Sequence, residues 1–381
     1  MSDYIVFGKP DIQEAEIAEV IDSLRSCWLG TGPKVQRFES DFAKYKGMPE
    51  GSVAALNSCT AALHLSLLAA GVGFGDEVIT TGLTFCATVN SIVNTGATPV
   101  LVDVSLPHYN IDPTLIRESI SDSTKAIVVV HYAGVACEMT EIKRLCDEFD
   151  LVLIEDCAHA IEGYYKDTPL GLVGDYSCFS FYATKNITTG EGGMIYSRNP
   201  DSLERIKTLS LHGMSADAWG RFSDDGYNHY YVAEPGFKYN MMDLQAAVGI
   251  HQLARIEHAW KKRKECYEFY QSELTDLPIE LPRHHEHDSR ISYHLFPVLI
   301  EDGARIGRDQ LMLQLHERGI GTGVHYQSIM SQPYYRSRFR GIYNTPIADD
   351  FGERTISLPF SASLSESERM RVVLSLRELL D

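Results

Sequence analysis

An α/β fold built on a mostly parallel sheet is what this chain predicts. Two observations carry that expectation. Short apolar runs alternate with helical patterns over most of the first half of the 381 residues, and such alternation implies right-handed crossover units around a parallel sheet. One of the runs, Leu151-Val152-Leu153-Ile154-Glu155-Asp156, is a buried-strand pattern that ends in two carboxylates. Open α/β sheets bind ligands outside the carboxyl ends of their strands.

The elements follow in order. Val53 to Ala70 has helical spacing, Glu77 to Thr80 a short strand pattern and Phe85 to Asn94 a helical one. Pro99 to Val104 reads as a strand, Asp112 to Ile120 as a helix, Ala126 to His131 as a strand and Glu138 to Phe149 as a helix. After Leu151 to Glu155, the runs Tyr176 to Phe181 and Gly193 to Ser197 continue the sheet. Residues 213–236, rich in Gly, Asp, Ser and Tyr, read as a long loop, and loops of that length are usually functional or mobile. A long helical pattern covers Met242 to about Leu274, and Leu277 to Asp288 reads as a linker. Beyond it lie a strand pattern at His294 to Ile300 and helices at Arg308 to Arg318 and Glu366 to Leu380. The division expected is a large α/β domain over residues 1–275 with an N-terminal arm, and a smaller α+β domain over residues 276–381.

Composition narrows the function classes. A net charge of −18 argues against nucleic acid and anionic membrane as partners, since both need clustered Lys and Arg. The basic run Lys261-Lys262-Arg263-Lys264 falls in a helical pattern and reads as a solvated face. The eight cysteines form no C-x-x-C pair and read as reduced thiols. Met1-Ser2-Asp3-Tyr4 lacks the basic and apolar regions of a signal peptide. No apolar stretch approaches the ~18 residues of a membrane span, so a cytoplasmic location is expected. Arg283 to Asp288 is rich in histidine and acid but too crowded for spaced metal ligands, and no metal is expected there. Gly71 to Gly75 follows a helix and precedes a strand, the reverse of a dinucleotide loop; it reads as a helix C-cap and turn.

Lys185 lies in Cys178-Phe179-Ser180-Phe181-Tyr182-Ala183-Thr184-Lys185-Asn186, ahead of Thr188-Thr189-Gly190-Glu191-Gly192-Gly193. By itself it reads as a solvated lysine at a strand end. A lysine at the rim of a buried element is also a candidate nucleophile, because desolvation favours the neutral amine. Asp156, at the end of a strand some thirty residues earlier, supplies what pyridoxal phosphate (PLP) needs beside such a lysine. A carboxylate keeps the pyridine nitrogen protonated and the lysine carries the cofactor.

With that pair in view, the chain resembles the PLP-dependent sugar aminotransferases of the DegT/DnrJ/EryC1/StrS family. The motifs that carry the resemblance stand in order: Trp28-Leu29-Gly30-Thr31-Gly32-Pro33, Asn57-Ser58-Cys59-Thr60-Ala61-Ala62-Leu63-His64, Gly75-Asp76-Glu77-Val78-Ile79-Thr80, Leu83-Thr84-Phe85, Gly96-Ala97-Thr98-Pro99-Val100, Glu155-Asp156-Cys157-Ala158-His159-Ala160, the Lys185 segment and Gly236-Phe237-Lys238-Tyr239-Asn240. His131-Tyr132-Ala133-Gly134 and Gly319-Ile320-Gly321-Thr322-Gly323-Val324-His325 look most like the subgroup that aminates C4 of a UDP-linked 4-keto sugar. The resemblance implies the aspartate-aminotransferase-like fold (fold type I), an amino-acid donor expected to be glutamate, a nucleotide-linked keto sugar as acceptor, and a homodimer with shared active sites. It implies a role in amino-sugar synthesis for surface glycans.

The resemblance also assigns residues. Thr60 and the Ala61 amide would hold the PLP phosphate at a helix N-terminus, with Ser180 helping; an ordinary Ser/Thr cap is the alternative. Phe85, which alone reads as core, would stack on the pyridine ring. His159 would pack on the ring or bond its phenolic oxygen, and otherwise reads as a satisfied buried histidine. Asn240 would reach the neighbouring subunit's cofactor phosphate. Relatives often carry Arg where Met241 stands, so the phosphate contacts there depart from the common pattern. Thr31, Tyr293, His294 and His325 would line the sugar pocket, with a structural hydrogen bond as the alternative for His325. Three rivals are weighed. A sugar 3-dehydratase carries His in place of Lys185, a non-catalytic regulator would not need the Lys185/Asp156 pair, and an NAD-dependent oxidoreductase needs a glycine fingerprint absent here.

Overall fold

The computed structural model describes residues 4–214, 230–283, 290–339 and 343–380. Its main sheet has seven strands, in the order Val53–Leu56, Gly193–Ser197, Tyr176–Ser180, Val152–Asp156, Thr124–Val130, Glu77–Thr81, Thr98–Val102. Gly193–Ser197 runs antiparallel to both neighbours; the remaining pairs are parallel. Alternate residues of a strand face opposite sides, and both sides here are covered. Ala126, Val128 and Ile154 pack under the Cys59–Ala69 and Pro200–Ser210 helices. Ile127, Val129 and Leu153 pack against the Met139–Phe149 helix. Burial on both faces is why these strands read as near-continuous apolar runs.

A smaller antiparallel sheet joins Ile279–Glu280, Pro297–Ile300 and Thr355–Ser357. The helices Arg308–Glu317 and Glu366–Leu380 close its core, through Leu311, Leu315, Val372 and Leu376 against Phe296, Val298 and Ile356. Ile5 joins this C-terminal core and bridges to Ile320, so the N-terminal segment is tied to the far end of the chain. Among the described residues no helix is long and apolar enough to cross a membrane.

Several elements depart from the sequence pattern. Val53–Leu56 is a strand and the helix begins at Cys59, with Ser58 as N-cap. A four-residue apolar run has no period of its own, and pairing with Gly193–Ser197 decides it. The long helical pattern after Met242 is two helices, Asp243–Ala254 and Ile256–Glu273, interrupted at Arg255. The helices Glu14–Ser26, Pro33–Lys46, Pro200–Ser210, Pro333–Arg338 and Pro346–Arg354 are additional to the expected set. Arg263 is not on a solvated face: it lies on the inward stripe of its helix with Cys266, Tyr267 and Tyr270. The turn at Gly71 and Gly75 is as expected, both glycines having positive φ after the Cys59–Ala69 helix. Residues 284–289 and 215–229 lie outside the described residues, and with them most of the histidine-rich run and of the long loop.

Candidate active site

At the carboxyl ends of the parallel strands lies a cavity of about 520 Å³. Asp156 closes its floor. Strand alternation sends Asp156 and Glu155 to opposite faces, and the two carboxylates do different jobs. Glu155 accepts from the backbone N–H groups of Gly171, Val173 and Gly174 at 2.9, 2.9 and 2.6 Å and lies 3.0 Å from His131 Nε2. His131 Nδ1 accepts from the Cys137 N–H, so Nε2 carries the hydrogen that meets Glu155. With Cys157, these residues are close enough to hold a metal ion, but Glu155 already accepts four donors. The cluster is a register lock behind the cavity.

Asp156 Oδ1 accepts from the Ala158 N–H at 3.1 Å and Oδ2 from the Thr88 hydroxyl at 2.9 Å. Thr88 in turn lies 2.8 Å from Thr84 Oγ1, just ahead of the Cys86–Asn94 helix. Burial is the largest influence on Asp156 and pushes its carboxyl up; the Ala158 and Thr88 bonds and the Lys185 charge oppose it.

Lys185 is half-buried on the same cavity, after a turn in which its N–H bonds Tyr182 O at 2.9 Å. Burial lowers its amine to about 8, with Asp156 opposing. That disfavours the charged form by roughly 3 kcal/mol. The next residue anchors it. Asn186 donates to both Glu162 oxygens at 3.0 and 2.9 Å and to Ser292 O at 2.8 Å, and accepts from His294 Nδ1 at 2.8 Å.

Ser58, Cys59, Thr60, Ser180, Glu191 and Gly192 also line the cavity. Ser58 Oγ caps the helix by accepting from the Ala61 N–H at 3.1 Å, so that amide is already engaged. A Cβ on Gly193 would come within 2.4 Å of the Ser58 carbonyl carbon, which is why glycine passes beneath this helix N-terminus. Phe85 is 56% exposed at the cavity wall, 5.8 Å from the Tyr326 ring. An aromatic left bare in a cavity is not core.

His159 lines the cavity and is 4% exposed. Its Nδ1 accepts from the Ala133 N–H at 3.2 Å and its Nε2 lies 2.9 Å from Tyr326 Oη. Burial, helped by Lys185 and His325, holds its pKa well below the usual imidazole value, so the ring is neutral. His325 also lines the cavity. Its Nδ1 lies 3.0 Å from Ser357 Oγ and its ring stacks on Phe7 at 5.1 Å. Burial lowers it to about 4. His325 therefore combines a structural bond with a place in the cavity wall.

Five expected site residues do not line this cavity: Ala61, whose N–H is taken by Ser58, and Tyr293, His294, Thr31 and Asn240. Tyr293 packs among Trp260 and Tyr267 at ring distances of 5.7 and 5.0 Å. His294 is 4% exposed and supports Asn186, its ring 4.3 Å from that of His159. Thr31 accepts from Asn240 Nδ2 at 2.7 Å and donates to Met241 O. Asn240 sits beside the helix-capping loop, bridged to Leu56, and its Oδ1 meets no donor among the described residues. Sequence reasoning passes over Ser58, Thr88, Glu191 and Tyr326. Of these, Thr88 lies on the Cys86–Asn94 helix, and no local pattern marks any of the four.

These residues fit pyridoxal phosphate. A lysine biased to the neutral form, a buried carboxylate, and hydroxyls at a helix N-terminus, all on one cavity, meet the demands of amine, pyridine nitrogen and phosphate. Fold and site together define a PLP-dependent aminotransferase of fold type I. The chain belongs to the DegT/DnrJ/EryC1/StrS aminotransferase family, whose model matches residues 10–377. It is 41% identical over 381 residues to the spore coat polysaccharide biosynthesis protein SpsC of Bacillus subtilis, covering 99% of this chain and 97% of that one. Among solved structures it is similar to Spr1654 of Streptococcus pneumoniae, assigned as a sugar aminotransferase, in its PMP-form. The TM-score is 0.91 at 33% identity, with 98% of each chain covered; a PLP-form of the same protein also matches. It is likewise similar to Helicobacter pylori PseC, an aminotransferase involved in the biosynthesis of pseudoaminic acid, with a TM-score of 0.90 at 28% identity and 99% of each chain covered. Lys185 and Asp156 line one cavity, and this is a sugar aminotransferase.

Proposed function

We propose that the chain transfers an amino group from glutamate to C4 of a UDP-linked 4-keto sugar, for an amino sugar of a surface glycan. The observation that carries this is that the Gly319–His325 segment, characteristic of the UDP-sugar subgroup, delivers His325 into the wall of the Lys185/Asp156 cavity. The relatives support the glycan reading: SpsC is named for spore coat polysaccharide and PseC for pseudoaminic acid. Eight unpaired cysteines suit a cytosolic place of work.

PLP, when bound, supplies the electron sink. Asp156, fixed by Thr88 and Ala158, would hold the proton on the pyridine nitrogen. Lys185 Nζ takes the proton from Cα of the donor and, with the acceptor, delivers one to the sugar carbon. Thr60, Ser58 and Ser180, which line the cavity at the helix N-terminus, would hold its phosphate, and Phe85 and neutral His159 would flank the ring. One site serving donor and acceptor in turn makes the kinetics ping-pong.

A panel of UDP-, dTDP- and GDP-linked keto sugars tests the reading. Preferred turnover of the UDP-linked 4-keto sugar with the amine at C4 by NMR is the expected result; amine at C3, or preference for a free sugar, rejects it. His325→Ala should raise KM for the sugar about 10-fold, the worth of one hydrogen bond, and leave KM for glutamate unchanged. Equal effects on both would move His325 to the scaffold.

The working unit in this proposal is a homodimer with composite sites. The Glu14–Ser26 helix buries Glu16 and Ser23 and exposes Ile17, Ile21 and Leu24 at i, i+4, i+7. Exposed Trp28, Leu29 and Met242 extend the apolar surface. A helix that turns its apolar stripe outward needs a partner. Thr31 and Asn240 stand in this region, off the cavity of their own chain. Lys185→Ala and Asn240→Ala chains, each inactive alone, should therefore recover about a quarter to a half of wild-type activity when co-folded, because one site of the heterodimer carries neither change. A monomer by sedimentation, or no recovery in verified heterodimers, would count against shared sites.

A further inference from the structure

We infer that Tyr326 is the hydrogen-bond donor that holds and polarises the keto oxygen of the acceptor sugar, oriented for that task by the Ala133–His159 pair. The inference rests on the acceptor being a keto sugar, as proposed above.

The argument is a count of hydrogens. The Ala133 backbone can only donate through its N–H, and it points at His159 Nδ1 from 3.2 Å. Nδ1 is therefore an acceptor and bears no hydrogen. The ring is neutral, so its single hydrogen is on Nε2. Nε2 faces Tyr326 Oη at 2.9 Å, and the phenol oxygen must be the acceptor there. The phenol's own hydrogen is left over. It has no other acceptor among the described residues, and Tyr326 lines the cavity that Lys185 and Asp156 share. Burial keeps the phenol protonated, reinforced by the nearby Asp156 carboxylate. A hydroxyl that already accepts one hydrogen bond is a stronger donor in the next.

The backbone that starts this chain is itself held out of the ordinary. Ala133 has φ 54°, the left-handed region, between Tyr132 and Gly134. Its N–H serves His159, and its carbonyl accepts from the His294 N–H at 3.2 Å. A non-glycine residue kept there costs about 1–2 kcal/mol, and here that strain aims one N–H at one imidazole nitrogen. The ring is further fixed by the His294 ring at 4.3 Å and by stacking with Tyr326 at 5.9 Å. On the other side Tyr326 meets Phe85 at 5.8 Å. The phenol is held by packing on both flanks, with one hydrogen to give.

The amino-acid donor enters without a carbonyl at its reacting carbon and leaves as a keto acid whose oxygen comes from water. A keto sugar enters with its oxygen in place, and that oxygen leaves as water with the two hydrogens of the attacking amine. Donors preset on such an oxygen are worth about 10²–10³-fold in rate. Tyr326→Phe keeps the ring and removes only the hydroxyl. The two half-reactions, followed separately by stopped-flow absorbance, should divide: glutamate consumption within about threefold of wild type, amination of the best keto sugar of the panel slowed about 100-fold. Equilibrium binding gives a second readout. The variant should bind that keto sugar more weakly yet bind its deoxy counterpart, lacking the keto oxygen, as wild type does. Equal slowing of both half-reactions, with a changed absorption spectrum of the bound cofactor, would place the hydroxyl on the cofactor and overturn the assignment. So would an unaffected sugar half-reaction. A wild-type chain that aminates no sugar of the panel would bring down the proposed function itself, an outcome the wild-type control shows before any variant is compared.

Discussion

Replacing Lys185 by alanine is expected to lower turnover by on the order of 10⁴-fold while the fold and PLP binding persist. General acid–base transfer alone is worth about 10²–10⁴-fold, and in the proposed function the same amine is the covalent attachment point. The fold should survive because the amine makes no hydrogen bond within the described residues; the anchoring contacts belong to Asn186 and Glu162. Borohydride treatment of the PLP-loaded wild type followed by peptide mapping should place the pyridoxyl group on Lys185. A label on another lysine, or an alanine variant with a tenth of normal turnover, would sink the assignment. The lowered amine adds a pH expectation. Below about 8 the amine is mostly protonated, so covalent capture of PLP by the free protein should quicken as pH rises to about 8 and then level off. A plateau reached only near the ordinary lysine value would show that burial does not tune this amine.

Asp156→Asn should cost on the order of 10²-fold or more in kcat and leave PLP covalently bound. The charge proposed to hold the pyridine proton is gone, and preorganised charges in water-poor sites are worth several kcal/mol. The surroundings sharpen the prediction. Both Asp156 oxygens face donors, Ala158 N–H and Thr88 O–H. An amide must turn its NH₂ toward one of them, so the variant should also lose about 1–3 kcal/mol of stability, read as a fall in denaturant midpoint. Near-native turnover would mean that another acid holds the ring nitrogen.

Much of this protein is legible in its order of residues. The parallel strands Thr124–Val130 and Val152–Asp156 are buried on both faces, and burial of that kind writes itself into sequence as unbroken apolar runs. Lys185 and Asp156 can be paired because each sits at the end of such a run, where chain order already fixes which end of the sheet it occupies. Val53–Leu56 escapes because four apolar residues beside a true helix carry no period of their own. Arg263 misleads for the converse reason: a charge in a basic run looks solvated until the helix is phased against its neighbours.

Sequence by itself determined the fold class, the cofactor, the lysine–carboxylate pair and the family, because these depend on residue types at strand ends within a local stretch of chain. Tertiary structure alone decided what lies beside them. Tyr326 meets His159 across 167 positions of chain, and Thr88 meets Asp156 across 68. His294, three residues from the Pro297–Ile300 strand, turns inward to Asn186 and leaves the cavity wall to His325. A hydrogen bond is set by ångströms and angles at both partners, and no local pattern records where two distant segments will bring them together.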